Sequence, residues 1–370
     1  MYPALTVAEQ FAVAPDSVTF VGTPDSLESR IVPAAGVEFR ALPATGFDRS
    51  RPWTLVTSSV RIGVSTVRAW RWLGAQRPDA VIGFGGYVSV PVALAAVLRR
   101  VPLVLHEQNS VPGIANRVLS RFAEAVAVTY EESGSRLAHP DRVVLTGNPV
   151  RDSVLAATRE AGRRALSLAQ DIPVLLVFGG SRGARHLNTA LVGLRERLLG
   201  VPDLQILHVA GKAESESVRA ALYKAGGDGG GRWRVLDYLD DMGSALAACD
   251  LVVARAGATS IAEITALGRA SVLVLYPYAT DDHQTSNAAS LVAHGAAFVV
   301  TDADIDGQQF GDMIVGLLGD GVARATMAAA SRALGRPDAA ARVAELARGV
   351  ARRRAGTLGT PTDIPEDSVV

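Results

Sequence analysis

The stretch 173-PVLLVFGGSRGARHLN-188 decides the fold. Residues 174–178 are apolar at every position rather than at alternate ones, so the run reads as a strand buried on both faces. That pattern belongs to the interior of a parallel sheet with helices above and below it. Two glycines then turn the chain, and a helix begins near Gly183. Its unpaired backbone N–H groups and dipole would face an anion, with the Ser181 hydroxyl as a further donor. The spacing is neither a P-loop nor G-x-G-x-x-G. A tight turn that needs glycine only for its backbone explains the stretch equally well.

Outward from this point, short apolar runs alternate with helical patterns in both directions. "VTFV", "AVIGF", "PLVLH", "AVAVT" and "RVVLTG" are strand candidates before it; "LQILHVAG", "DLVVARAG", "SVLVLYP" and "AAFVV" follow it. The helical patterns between them, such as 185–199 and 260–267, have crossover length, so the fold class is α/β with parallel sheets. Helical "DSVLAATREAGRRALSL" separates two such sets. This predicts two doubly wound, Rossmann-like domains facing a cleft, 1–149 and 150–321. Residues 322–354 read as one long Ala/Arg-rich helix, and 355–370 as a disordered tail. Ligands of wound sheets sit at the carboxyl ends of the strands, so the cleft is the expected site.

Of the 370 residues 48% are hydrophobic, and 37 basic residues cancel 37 acidic ones. A general nucleic-acid binder needs a basic surplus against phosphate, so nucleic acid is not an expected partner. Only Lys212 and Lys224 are lysines, a bias in keeping with a GC-rich genome. Cys249 is the single cysteine, so it makes no internal disulfide, and no metal-ligand spacing accompanies it. No apolar run is long enough to span a bilayer and no signal peptide opens the chain, which predicts a cytoplasmic location.

Several other turns carry polar side chains at strand ends. In "ARAGATSIAEITALGR" (254–269), Ala258, Thr259 and Ser260 could present N–H groups, and Glu263 is read on the first helical turn, where a carboxylate is favoured. It caps the helix or accepts ribose hydroxyls, as acidic residues do in dinucleotide sites. "YPYATDDHQTSNA" (276–288) packs Asp281, Asp282, His283, Gln284 and Asn287 together, a density suited to sugar hydroxyls or to a solvated loop. It lacks the spacing of a zinc site. "GFGGYVSVPVALAA" (83–96) and "HEQNSVPGIANR" (106–117) also follow strands, the second with His106, Glu107, Gln108 and Asn109 in a row.

Together with "TGNPVR" (146–151), these segments resemble, in order and spacing, the bacterial MurG glycosyltransferases, over roughly residues 2–350. The resemblance implies the two-domain GT-B fold, with the last helix returning to the N-terminal domain. It implies inverting transfer of N-acetylglucosamine from UDP-GlcNAc to lipid I, the undecaprenyl-pyrophosphoryl-MurNAc-pentapeptide, giving lipid II and UDP in peptidoglycan synthesis. No cofactor and no metal are called for. Arg151 and Ser181 would hold the diphosphate, the backbone at Leu239 would read uracil, and Glu263 would bind the ribose. Ala258, Thr259 and Ser260 would line phosphate and sugar; Gln284, His283 and Asn287 would contact GlcNAc, with Asn109 reaching in from the N-terminal side. Arg182 stands where glutamine is common.

In the family, a strand and a "GGTGGH" loop precede the segment matched by "YPALTVA". They are expected to be missing here, with Met1 a misassigned start. The loop histidine is the family's candidate base, which leaves His106 and Glu107 as stand-ins. The acceptor implies a peripheral enzyme on the cytoplasmic face of the inner membrane, with an anionic membrane surface and cell-wall synthesis and division proteins as partners. "RIGVSTVRAWRWLG" (61–74), through Ile62, Trp70, Trp72 and its arginines, has the composition of an interfacial helix. A core-facing amphipathic helix would look much the same. The rival functions are a UDP-sugar-binding protein without turnover, or another GT-B lipid glycosyltransferase.

Overall fold

The computed structural model describes residues 1–12, 16–24, 26–43, 54–180, 184–276, 283–354 and 356. The chain divides into two α/β units, Met1–Pro149 with Asp338–Val370, and Val150–Pro337.

The first unit contains α1 (Tyr2–Ala12), β1 (Thr19–Gly22), α2 (Glu28–Ala34), β2 (Glu38–Ala41), α3 (Thr54–Gln76), β3 (Val81–Gly83), α4 (Gly86–Leu98), β4 (Leu103–Glu107), α5 (Ile114–Leu119), β5 (Ala125–Val128) and β6 (Val143–Leu145). β3, β4, β5 and β6 form a parallel sheet in that order, and β1 pairs with β2 separately. Leu103, Leu105, Val126 and Val128 face one way, onto Ala93 and Leu119 of α4 and α5. Val104, Ala125 and Ala127 face the other way.

The second unit contains α6 (Asp152–Leu155), α7 (Arg159–Ala165), β7 (Val174–Phe178), α8 (Arg185–Gly193), α9 (Arg195–Leu199), β8 (Gln205–Val209), α10 (Ser215–Lys224), β9 (Trp233–Leu236), α11 (Met242–Ala248), β10 (Leu251–Arg255), α12 (Ala258–Ala266), β11 (Ser271–Leu275), α13 (His283–Ala293), β12 (Ala297–Thr301), α14 (Gln308–Gly319) and α15 (Gly321–Leu334). Its all-parallel sheet runs β12-β11-β10-β7-β8-β9. Both faces of β7 are buried, as its unbroken apolar run predicts. Leu175 and Val177 meet Leu187 and Leu191 of α8 and Phe310 and Ile314 of α14. Leu176 and Phe178 meet Leu246 of α11 and Ile261 and Ile264 of α12. A buried guanidinium joins helix to sheet. Arg163 of α7 donates to the carbonyls of Ala248, Ala169 and Ile172 and, at 2.8 Å, to Asp250, which also accepts from Val174 N.

Three helical readings are corrected by breaks. The pattern after Val322 is two helices, α15 and α16 (Ala339–Arg354), separated by a segment containing Gly335 and Pro337. Proline lacks the N–H that would continue the ladder and disfavours a helical residue before it. The break separates two packing partners. α15 belongs to the second unit, whereas α16 sets Val343, Ala344, Ala347 and Val350 against Val7, Val104, Ala125 and Ala127 of the first. The segments 152–168 and 185–199 are likewise each two short helices. Strands β2 and β9 were not anticipated.

α7 crosses α11 so closely that a Cβ on Gly162 would lie 2.3 Å from the Ser244 carbonyl oxygen, whereas one on exposed Gly193 would meet nothing within 4 Å. Gly162→Ala is therefore expected to destabilise the fold by about 1–3 kcal/mol, and Gly193→Ala to leave it unchanged or slightly more stable. Thermal unfolding of the two variants tests this; equal melting temperatures would refute the close crossing.

Candidate functional site

In the second unit the chain builds β7, β8 and β9 to one side, then returns to place β10 on the other side of β7 and continues to β11 and β12. β7 and β10 are hydrogen-bonded neighbours, with Phe178 opposite Ala254 at their carboxyl ends. The helices that follow go to opposite faces, α8 with one core layer and α12 with the other. Where successive connections diverge in this way, wound sheets bind ligands at the carboxyl ends of the strands.

Gly179 and Gly180 follow β7, and Gly257 and Ala258 follow β10. Gly180 has φ +80, a left-handed conformation that favours glycine. Among the described residues neither α8 nor α12 has a side-chain cap, and uncapped first N–H groups are available to an anion. Ala258, Thr259 and Ser260 form the half-exposed first turn of α12. Ser181, Arg182, Asp281 and Asp282 lie outside the described residues.

Glu263 is on the second turn of α12 rather than the first, because the helix already begins at Ala258. It is buried, and Arg151 donates to its Oε1 at 3.0 Å. Burial raises the pKa of the Glu263 carboxyl, and the Arg151 charge and hydrogen bond oppose that rise. On α13, Asn287 is buried, His283 keeps a buried Nδ1 without a hydrogen-bond partner, and the Gln284 Oε1 accepts from Tyr276 N at 2.9 Å. Leu239 is half-buried just beyond β9, against the α11–α12 core layer.

Sequence reasoning passed over Arg255 at the end of β10. Its guanidinium, buried, donates to Leu275 O at 2.8 Å, pairs with Asp302 and lies over the Tyr276 ring. A charged residue closing an otherwise apolar strand was the available signal.

The first unit corrects the reading of His106 and Glu107 as stand-in bases. His106 is fully buried. Its Nε2 is 3.0 Å from Gly147 O and its Nδ1 2.9 Å from Gln108 Nε2. A carbonyl can only accept, so the ring donates from Nε2 and accepts at Nδ1, leaving no nitrogen for a substrate. Desolvation lowers its pKa to about 4. Glu107 is consumed in folding the next loop: it accepts from Asn109 N, from Gly113 N and, at 2.8 Å, from Asn116 Nδ2. Asn109 thus also takes part in this local network.

On α3, Ser65, Ala69 and Leu73 face the core while Val60, Val64, Val67 and Trp70 are exposed. The membrane reading shifts accordingly. Trp72 is partly buried against Leu42, Ala69 and Leu73, Ile62 is half-buried, and Trp70 is covered on one face by the Arg99 guanidinium at 3.9 Å.

Against known proteins, residues 1–128 match the glycosyltransferase family 28 N-terminal domain and residues 174–343 the family's C-terminal domain. The chain is 42% identical over 347 residues to the UDP-N-acetylglucosamine--N-acetylmuramyl-(pentapeptide) pyrophosphoryl-undecaprenol N-acetylglucosamine transferase of Desulfitobacterium hafniense, covering 92% of this chain and 93% of that one. It is 39% identical over 341 residues to the protein of the same name from Halothermothrix orenii, covering 91% and 92%. The crystal structure of Acinetobacter baumannii MurG superposes with a TM-score of 0.73 at 30% identity, covering 94% of this chain and 95% of that one.

The Arg151–Glu263 pair gives a signed pH prediction. In the unfolded chain the Glu263 carboxyl has its ordinary pKa and in the fold a raised one, so its ionised form disfavours folding above the raised value and ceases to do so as pH falls through it. Arg151→Met enlarges that penalty. The variant is expected to lose about 1–3 kcal/mol at neutral pH, below the range for a fully buried pair because Arg151 is partly exposed, and to recover part of the loss in acid. Denaturant melts at the two pH values measure this; a loss independent of pH would refute the desolvated-carboxylate reading.

Proposed function

The chain belongs to glycosyltransferase family 28, and from that premise we infer that it transfers N-acetylglucosamine from UDP-N-acetylglucosamine to lipid I, giving lipid II and UDP. The observation that carries this is the near full-length likeness to curated transferases of that activity. The crevice beside β7 and β10 is our donor site. There the amides after β7 and at the start of α12 would take the diphosphate, Glu263 the ribose hydroxyls, Leu239 the uracil edge, and Gln284, His283 and Asn287 the sugar.

The acceptor oxygen forms its bond to the anomeric carbon as the bond to the β-phosphate oxygen breaks, and negative charge gathers on departing UDP. Fixed donors aimed at that charge are the largest electrostatic contribution such a site can make. Arg151, adjacent to Glu263, is the cation we assign to it. The acceptor proton goes to a base other than His106 or Glu107, both of which are occupied.

The acceptor is a membrane lipid, so we place α3 at the bilayer surface. Val60, Val64 and Val67 form an exposed apolar stripe at helical spacing, flanked by exposed Arg61, Arg68 and Arg71. The helix contains no acidic residue. Such a face suits anionic headgroups. Among the described residues no single helix is long and apolar enough to cross a membrane.

Two measurements follow. In a lipid I turnover assay, Arg151→Met is expected to lower kcat by about 10²–10³, whereas Glu263→Gln raises the donor KM with a smaller effect on kcat, the signature of uniform binding. Wild-type kinetics in both would remove the donor-site assignment. In co-sedimentation with phosphatidylglycerol vesicles, the Val64→Glu/Val67→Glu double variant is expected to stay in the supernatant while Trp72→Ala still pellets. Unchanged binding of the double variant would reject α3 as the membrane face.

A further inference from the structure

His186, in the first turn of α8, sits between two carboxylates. Its Nδ1 is 2.7 Å from Asp302 Oδ2 and its Nε2 is 2.9 Å from Asp306 Oδ2. A neutral imidazole has one N–H and could donate to only one of them, leaving a ring lone pair against the other carboxylate. The geometry therefore selects the imidazolium, which donates to both. Asp302 also pairs with Arg255, which in turn stacks on Tyr276, whose N–H is closed by Gln284. One polar chain thus runs from the first turn of α8 to the proposed sugar contact on α13. The next turn of α8 is anchored separately: Asn188 donates to Ala210 O at 3.1 Å and accepts from buried His208 at 2.9 Å.

We propose that His186 is a positioning residue for donor binding: clamped as an imidazolium between Asp302 and Asp306, it holds in place the first turn of α8, whose backbone N–H groups receive the diphosphate. The proposal rests on the donor-site reading above. Both ring nitrogens are occupied, so His186 acts through the helix and not on the ligand. The other described charged groups at this corner are already engaged. Arg185 donates to Glu214, the residue before α10, Asp304 accepts from the Thr301 hydroxyl, and Arg255 holds Asp302.

The hydrogen bonds to Asp302 and then Asp306 raise the ring's pKa above its ordinary 6.5. Protonation, and the clamp with it, persists below the raised value and is lost as pH climbs through it. One of the two hydrogen bonds then breaks, and donor affinity falls.

The test is calorimetric titration of the full chain with UDP-GlcNAc across pH 6–9. Wild type is expected to weaken through a step on the alkaline side, and His186→Gln to bind about three- to tenfold more weakly at pH 7 without that step. Asp306→Asn, at a well exposed carboxylate, is expected to fold normally and move the step to lower pH. It decides alone should His186→Gln fail to fold. Titration of the uracil ring is common to all three proteins and cancels in the comparison. Variants that reproduce the wild-type affinity at every pH overturn the proposal while leaving the donor site standing. A wild type that does not bind UDP-GlcNAc overturns the donor-site reading itself.

Discussion

Strand β7 is hydrogen-bonded to β8 on one side and β10 on the other, and the rest of the second unit is arranged around that fact. A parallel strand cannot be joined to its neighbour by a hairpin, so each connection must pass over a face of the sheet. The chain leaving β7 goes one way, and the chain leaving β10 goes the other. The two helices that follow lie on opposite faces, and among the described residues no side chain caps their first amides. Small residues at both turns, Gly179 and Gly180 on one and Gly257 and Ala258 on the other, leave the backbone bare there. The electrostatic character of the crevice is thus a product of topology before any functional side chain is considered.

How much of this is legible in the sequence depends on how local the information is. The ten apolar runs named from the sequence are all strands; β4, β5, β7 and β10 among them are buried at every position, which calls for consecutive apolar residues. β2 and β9 escaped because they are short sheet-edge strands carrying Glu38, Arg40 and Arg234, and an edge strand does not need two apolar faces. The helix breaks were readable in principle, since Gly335 and Pro337 stand in the open, yet the Ala/Arg composition on either side masked them. The clamp on His186 was not readable at all. Its partners lie 116 and 120 residues away, and a histidine followed by leucine and asparagine carries no sign of two distant carboxylates.

Polar residues at strand ends show why composition alone misassigns function. "HEQN" after β4 and Glu263 after β10 looked alike from the sequence, as clusters of hydrogen-bonding groups in the position where wound sheets bind ligands. The structure separates them by what remains unspent. Every described hydrogen bond of the Glu107 carboxylate is with the segment that follows it, the backbone of Asn109 and Gly113 in the loop and the amide of Asn116 in α5. His106 likewise has both nitrogens committed.

Glu263 is the opposite case. It is buried on a helix that does not need it as a cap, and its one described hydrogen bond comes from Arg151, at a position distant in sequence. Burying a carboxylate with most of its acceptor capacity unused is unfavourable for folding, and burial accordingly raises its pKa. Full local satisfaction, as at Glu107, would remove that penalty but would leave no acceptor for a ligand. A buried carboxylate that is only partly satisfied is stable when a guanidinium offsets its charge and useful when a diol can complete its hydrogen bonds. Glu263 meets the first condition in the structure, and the second is what a ribose would supply.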